Sequence, residues 1–199
     1  MAAAQTSPSA APAETGDQRV VVYGVTWDQY VTIRGALDDH PGLRMTFLEG
    51  ALEIMSPSPE HERRKKLIAR LIETFAIEKR ISLNGYGSTT FRKQARERGA
   101  EPDECYVLGP LKDVPDVAIE VVLTSGGIDK LEVYAGLGVP EVWFFEGGRF
   151  VLFRLDAGKY GEIARSTFLP ELDHELLASF VDREDQTEAI LAYRSALAP

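Results

Sequence analysis

Apolar positions recur along the chain with two periods, and the switches between them mark out its elements. Arg19 to Tyr23 is a short apolar run closed by Gly24 and reads as a strand. Thr26 stands where a helix cap belongs, and Tyr30, Ile33 and Leu37 then share one face of a helix that His40-Pro41-Gly42 ends. Leu43 to Leu48 and Ala51 to Met55 flank Glu49-Gly50 and predict a β-hairpin. Past the turn cluster Ser56-Pro57-Ser58-Pro59, a helix is expected from Glu60 to Lys79. Leu67, Ile68, Leu71, Ile72 and Phe75 form its amphipathic stripe. Ile81 to Lys93 predicts a long strand or hairpin broken at Gly85 and Gly87, and the polar stretch Gln94 to Glu101 reads as a mobile loop.

The second half alternates strands and helices. Glu104 to Leu108 is a strand, Gly109 to Pro115 a loop, and Asp116 to Leu123 an apolar central strand broken by Thr124-Ser125-Gly126-Gly127. Ile128 to Leu137 is helical, with Leu131, Tyr134 and Leu137 inward, and Gly138-Val139-Pro140 stops it. Glu141 to Phe145, Arg149 to Leu155 and Tyr160 to Ile163 are strands. Leu172 to Phe180 and Glu184 to Ala196 close the chain as helices. This order predicts an α/β fold, a mixed β-sheet flanked by helices.

Composition narrows the class. A length of 199 residues suits one domain, expected over residues 19–199. Residues 1–18, rich in Ala, Pro, Ser and Thr, are expected to be a disordered tail; they lack the basic start and apolar core of a signal peptide. No run approaches a membrane span. The net charge of -9 argues against a protein that coats nucleic acid generally, although a local basic patch can act within an acidic total. The single cysteine, Cys105, permits no internal disulfide and fits a reducing, cytoplasmic setting. With no histidine neighbouring it in sequence, it reads as a small buried residue, not a nucleophile.

The candidate chemistry centres on Glu120, a carboxylate inside the apolar run Val117 to Val122. A buried charge there must be paired or metal-bound, since an unpaired one costs several kcal/mol or neutralises itself. Alternation puts Ala118, Glu120 and Val122 on one face. Asp103 opens the preceding strand; if the two strands pair, both carboxylates reach one hard cation. Oxygen ligands with open water positions suit Mg²⁺ or Mn²⁺. Lys130, on the helix after the strand, could orient a water or stabilise charge on a phosphate. Each residue also has a plainer role. Pro-Asp is a turn signal, so Asp103 and Asp116 could cap turns. Glu120 could sit in a structural ion pair, and Lys130 could be a solvated helix lysine. The combination favours function. Positive charge is densest on the Glu60 to Lys79 helix, where Arg64 and Lys65 are candidates to face phosphate and His61 to touch substrate; a solvated face is the plainer reading.

Asp103 followed by Ile119-Glu120-Val121-Val122 resembles the PD-(D/E)XK nuclease signature. The wider series resembles the Uma-two family of restriction-endonuclease-like proteins. It comprises Phe47-Leu48-Glu49-Gly50, Ile54-Met55-Ser56-Pro57, His61, Pro102-Asp103, Pro115 to Val121, Asp129-Lys130 with Tyr134, and Gly138 to Trp143. The resemblance implies a restriction-endonuclease-like core with Asp103 and Glu120 as metal ligands and Lys130 as the catalytic lysine. Val122 stands where the general signature has lysine, so Lys130 would be a migrated lysine acting from the helix. On this reading the protein is a metal-dependent DNA endonuclease. Mg²⁺ or Mn²⁺ is its cofactor, and the Val121 carbonyl completes the metal shell. Glu49 and Asp116 are secondary acidic candidates, and a homodimer is the expected assembly. The main competitor is a non-catalytic nuclease fold that binds DNA or a protein. A glycosidase using the two carboxylates is a third reading.

Overall fold

The computed structural model describes residues 16–37, 40, 42–124 and 126–197. Most of the expected tail, residues 1–15, lies outside them, as do Pro41 and Ser125. The chain runs β1 (Gln18–Tyr23), α1 (Trp27–Ala36), β2 (Arg44–Leu48), β3 (Ala51–Ser56), α2 (Pro59–Glu78), β4 (Leu83–Gly85), β5 (Phe91–Lys93) and β6 (Arg98–Ala100). There follow β7 (Glu104–Leu108), β8 (Val117–Val122), α3 (Lys130–Leu137), β9 (Glu141–Glu146), β10 (Arg149–Asp156), β11 (Lys159–Ile163), α4 (His174–Val181) and α5 (Gln186–Leu197).

The helix starts follow from side chains that satisfy the first free backbone N–H groups. Thr26 and Gln29 form a reciprocal capping box on α1. The Ser58 hydroxyl accepts from His61 N on α2, with Pro59 as its first helical residue. Asp129 caps α3, and Gly138 ends it in the left-handed region at φ 84°.

The strands form two sheets where one mixed sheet was expected. The first, in order β1-β3-β2-β6-β5, is antiparallel throughout. The second, β11-β10-β9-β8-β7-β4, is mixed: β8 and β9 run parallel and are joined across α3. The segment Ile81 to Lys93 is not one hairpin, because β4 joins the second sheet and β5 the first. Gln94 to Glu101 is not a polar mobile loop either. It forms a 3₁₀ turn, Gln94–Arg96, and then buried strand β6.

β8 is covered on both faces, which explains its nearly unbroken apolar sequence. Val117, Ile119 and Val121 pack with Leu67, Ile68, Leu71 and Phe75 of α2 and with Trp143. Ala118, on the opposite face, packs with Val133, Tyr134 and Leu137 of α3 and with Val142. A third core, around Tyr30, Phe47 and Leu52, joins α1 to the first sheet; the Tyr30 and Phe47 rings stack at 4.8 Å. Among the described residues no helix is long and apolar enough to cross a membrane.

Candidate active site

Glu120 lies on the α3 side of β8, where a cavity interrupts the packing. The β7–β8 register pairs Glu104 with Ile119, so one further step sets Asp103 opposite Glu120. Both side chains are buried, at 1% and 4% exposure. Asp103 Oδ2 accepts the Val121 backbone N–H at 2.8 Å, which fixes the carboxylate beside the strand. Lys130 Nζ lies 3.3 Å from Glu120 Oε1, and the Tyr134 hydroxyl donates to that same oxygen. Lys130 is the first residue of α3 and Tyr134 lies one turn later, so one helix end delivers both groups. The lysine absent at position 122 is thus matched by one arriving from α3, with its side chain turned toward Glu120.

A buried chain of charges supports Asp103 from behind. His61 Nε2 lies 2.9 Å from Asp103 Oδ1, and His61 Nδ1 lies 3.0 Å from Asp17 Oδ2. Asp17 in turn accepts from Ser58 N at 2.8 Å. His61 is 1% exposed, so it is not placed to touch a substrate, as the sequence reading had it. It stands behind a carboxylate. Burial alone would lower its pKa, but its contacts with Asp103 and Asp17 outweigh that and raise it to about 9.

The two facing carboxyls are pushed apart. For Asp103, burial raises the pKa, but the His61 contact, the Val121 N–H and Lys130 together hold it below the usual carboxylate value. For Glu120, burial also raises the pKa; Lys130 and Tyr134 oppose this, Asp103 adds to it, and the balance is upward. Burial disfavours the Lys130 cation, yet Glu120, Asp103 and Glu53 raise its pKa and keep it charged. Two carboxyls facing each other across the strand pair make a place where added positive charge is favoured.

The cavity, about 340 Å³, is bounded by both sheets and the start of α3. Arg19, Glu53, Glu120, Val121 and Lys130 line it together with Phe144 and Phe153. Glu53 is a site residue that the sequence reading missed. It is 3% exposed, lies 3.5 Å from Arg19 Nε, and accepts from Ile128 N at 3.1 Å. Its signal was the one that singled out Glu120: a glutamate inside an apolar strand, here Ala51 to Met55. Arg19, Tyr134 and Asp17 also join the site's surroundings.

A divalent ion fits this donor set. Among the described residues no three Asp, Glu, His or Cys side chains converge as a preformed cage. Glu120 offers a hard oxygen donor on a cavity with room for water, and Asp103, opposite it just before β7, a second one that does not itself line the cavity. Mg²⁺ is commonly held by one or two carboxylates, with waters and substrate phosphates completing its shell.

The remaining candidates lie elsewhere. Arg64 Nε is 2.8 Å from Asp182 and 2.9 Å from Glu60, and Lys65 Nζ is 2.7 Å from Glu62. Neither lines the cavity, so the structure does not bring them to the carboxylates. Glu49 is an exposed turn residue 2.8 Å from Arg98. Asp116 accepts from Leu108 N and Lys112 Nζ, a structural role in the loop before β8. Cys105 is buried, and burial beside Glu104 pushes its thiol up to about 12, which leaves it inert.

The mixed sheet, the flanking helices and the Asp103–Glu120–Lys130 arrangement define the class, a restriction-endonuclease-like α/β protein. Residues 27–183 match the family model described as "Uma2: Putative restriction endonuclease", and the chain belongs to that family. No curated protein matches it.

Proposed function

We propose that this protein is a metal-dependent nuclease that hydrolyses phosphodiester bonds, with DNA as its substrate. The observation that carries the reading is the placement of Asp103 opposite Glu120, with Lys130 on Glu120 and both Glu120 and Lys130 at the wall of one cavity. Asp103 and Glu120, with the Val121 carbonyl, would hold Mg²⁺ or Mn²⁺. When bound there, such an ion supplies a polarised phosphoryl oxygen and a more acidic water. Lys130 orients the attacking water or donates to a non-bridging phosphate oxygen as charge develops on it. His61 and Tyr134 fix the two carboxylates from behind. The water oxygen bonds to phosphorus as the ester P–O bond breaks, and the departing oxygen takes up a proton. Cutting both strands of a duplex would call for two sites and hence a homodimer. A cytoplasmic location belongs to the same proposal.

The test is cleavage of plasmid DNA and of a circular single strand with Mg²⁺ or Mn²⁺, beside Glu120→Gln and Asp103→Asn. Wild type should cut at least one of the two substrates, and each variant should lose at least a hundredfold in rate. Equal rates in all three would place the activity elsewhere. No cleavage by wild type with either ion would leave a nuclease fold that only binds.

A further inference from the structure

The cavity's lining is mixed in chemistry. Arg19, Glu53, Glu120, Lys130 and Glu146 bring charge to it. Phe144, Val151 and Phe153 form an apolar wall from β9 and β10. The registers place this wall beside the carboxylates: Glu120 pairs with Phe144 and Phe144 with Val151, while Val142 pairs with Phe153, all on one face of the sheet. Val151 and Phe153 belong to none of the three apolar cores, although neither is fully exposed. The Phe144 ring packs against the α3 core and meets the Phe153 ring edge to face at 81° and 5.8 Å, so the two do not lie flat on each other. An aromatic ring outside the core, as Phe153 is, beside a site for phosphate chemistry is what an unpaired base stacks on.

We infer that the cavity takes one nucleotide unit whose base has left its stack, with the base against Phe153 and Phe144 and its phosphate toward Glu120 and Lys130. The inference rests on the nuclease reading and narrows it to single-stranded, gapped or frayed nucleic acid. A base stacked inside a duplex has both faces covered and cannot meet this wall. Volume agrees, since 340 Å³ is the size of a small-molecule site and not of a duplex groove.

The test is fluorescence anisotropy with a labelled oligonucleotide as a single strand, as a blunt duplex, and as a duplex with a one-nucleotide gap. Ca²⁺ replaces Mg²⁺ to hold back cleavage. The single strand and the gapped duplex should bind at least tenfold more tightly than the blunt duplex. Phe153→Leu, which keeps apolar bulk but removes the ring, should weaken single-strand binding roughly tenfold and leave duplex binding unchanged; Phe144→Leu should act in the same direction. Duplex binding as tight as single-strand binding overturns the inference, as does a folded Phe153→Leu that binds like wild type. The wild-type comparison needs no variant, so a misfolded mutant does not undo the test. Preferential single-strand binding without cleavage would remove the nuclease reading and leave the base subsite standing. Duplex cleavage without strand preference would do the reverse.

Discussion

Glu120 and Glu141 are both buried glutamates on neighbouring strands, and their partners separate their roles. Glu141 accepts from Trp143 Nε1, Ser166 Oγ and Thr167 N, a closed set away from the cavity. Glu120 is held by Lys130 and Tyr134 and lines the cavity. Tyr134→Phe removes one donor from Glu120 and keeps the ring that packs under α3. Groups that orient a metal ligand typically contribute ten- to a hundredfold to affinity. Mn²⁺ titration by calorimetry should therefore show a loss of that order with the melting temperature little changed; unchanged affinity would reduce the hydroxyl to packing. His61 gives a pH prediction. Its folded pKa, about 9, lies above its ordinary 6.5, so its stabilising contribution is complete below 6.5 and lost as pH rises through 9. In EDTA, unfolding free energy should fall by on the order of 3 kcal/mol between pH 6 and 9.5. In His61→Gln that part of the pH dependence should vanish. Asp103, Glu120 and Lys130 were legible in the sequence because a carboxylate in an apolar run demands a partner. Asp17 was not, since it sits in a stretch whose composition reads as tail, and only the fold brings it to His61.

The elements hold the site through close approaches that residue types alone do not announce. β6 was hidden because Arg98 and Glu101 make its segment look solvated. In the fold both are buried: Arg98 pairs with Glu49, and Glu101 pairs with Arg34 at 2.5 Å. A sequence displays a charge but not the partner that makes its burial tolerable. α3, which carries Lys130 and Tyr134, rests on this strand through Gly136. A Cβ at Gly136 would stand 2.5 Å from Arg98 Cγ. Gly→Ala inside a helix ordinarily stabilises by up to about 1 kcal/mol. Here the clash decides the sign, and Gly136→Ala should destabilise by roughly 1–3 kcal/mol. Because α3 must shift to make room, the cleavage rate should fall further than stability does, although position 136 does not line the cavity. Melting curves run beside rates at a temperature where both proteins are folded separate the two effects. A stabilised variant of full activity would mean that α3 does not depend on this contact.

At the scale of the whole molecule, the division into two sheets was the least legible feature, because strand order depends on pairings between distant residues. The short strands β4 and β5, expected as one long strand or hairpin, send the chain from one sheet to the other. The cavity lies between the sheets, with Arg19 and Glu53 of the first set against Glu120 of the second. The charge economy follows. The total is -9, Arg63, Arg64 and Lys65 of α2 lie outside the cavity in partly exposed ion pairs, and the cavity is faced by two cations, Arg19 and Lys130, each beside a carboxylate. Nucleic-acid affinity falls with salt according to the number of phosphates neutralised, with a slope near -0.7 per phosphate for a single strand. Two contacts at fixed divalent ion concentration give a slope of roughly -1.4 in log affinity against log monovalent salt. Arg64→Ala and Lys65→Ala should leave that slope unchanged, whereas Lys130→Met should reduce it by about half. A slope several times steeper, or one flattened by the α2 substitutions, would mean that binding runs along the helix and not through the cavity between the sheets.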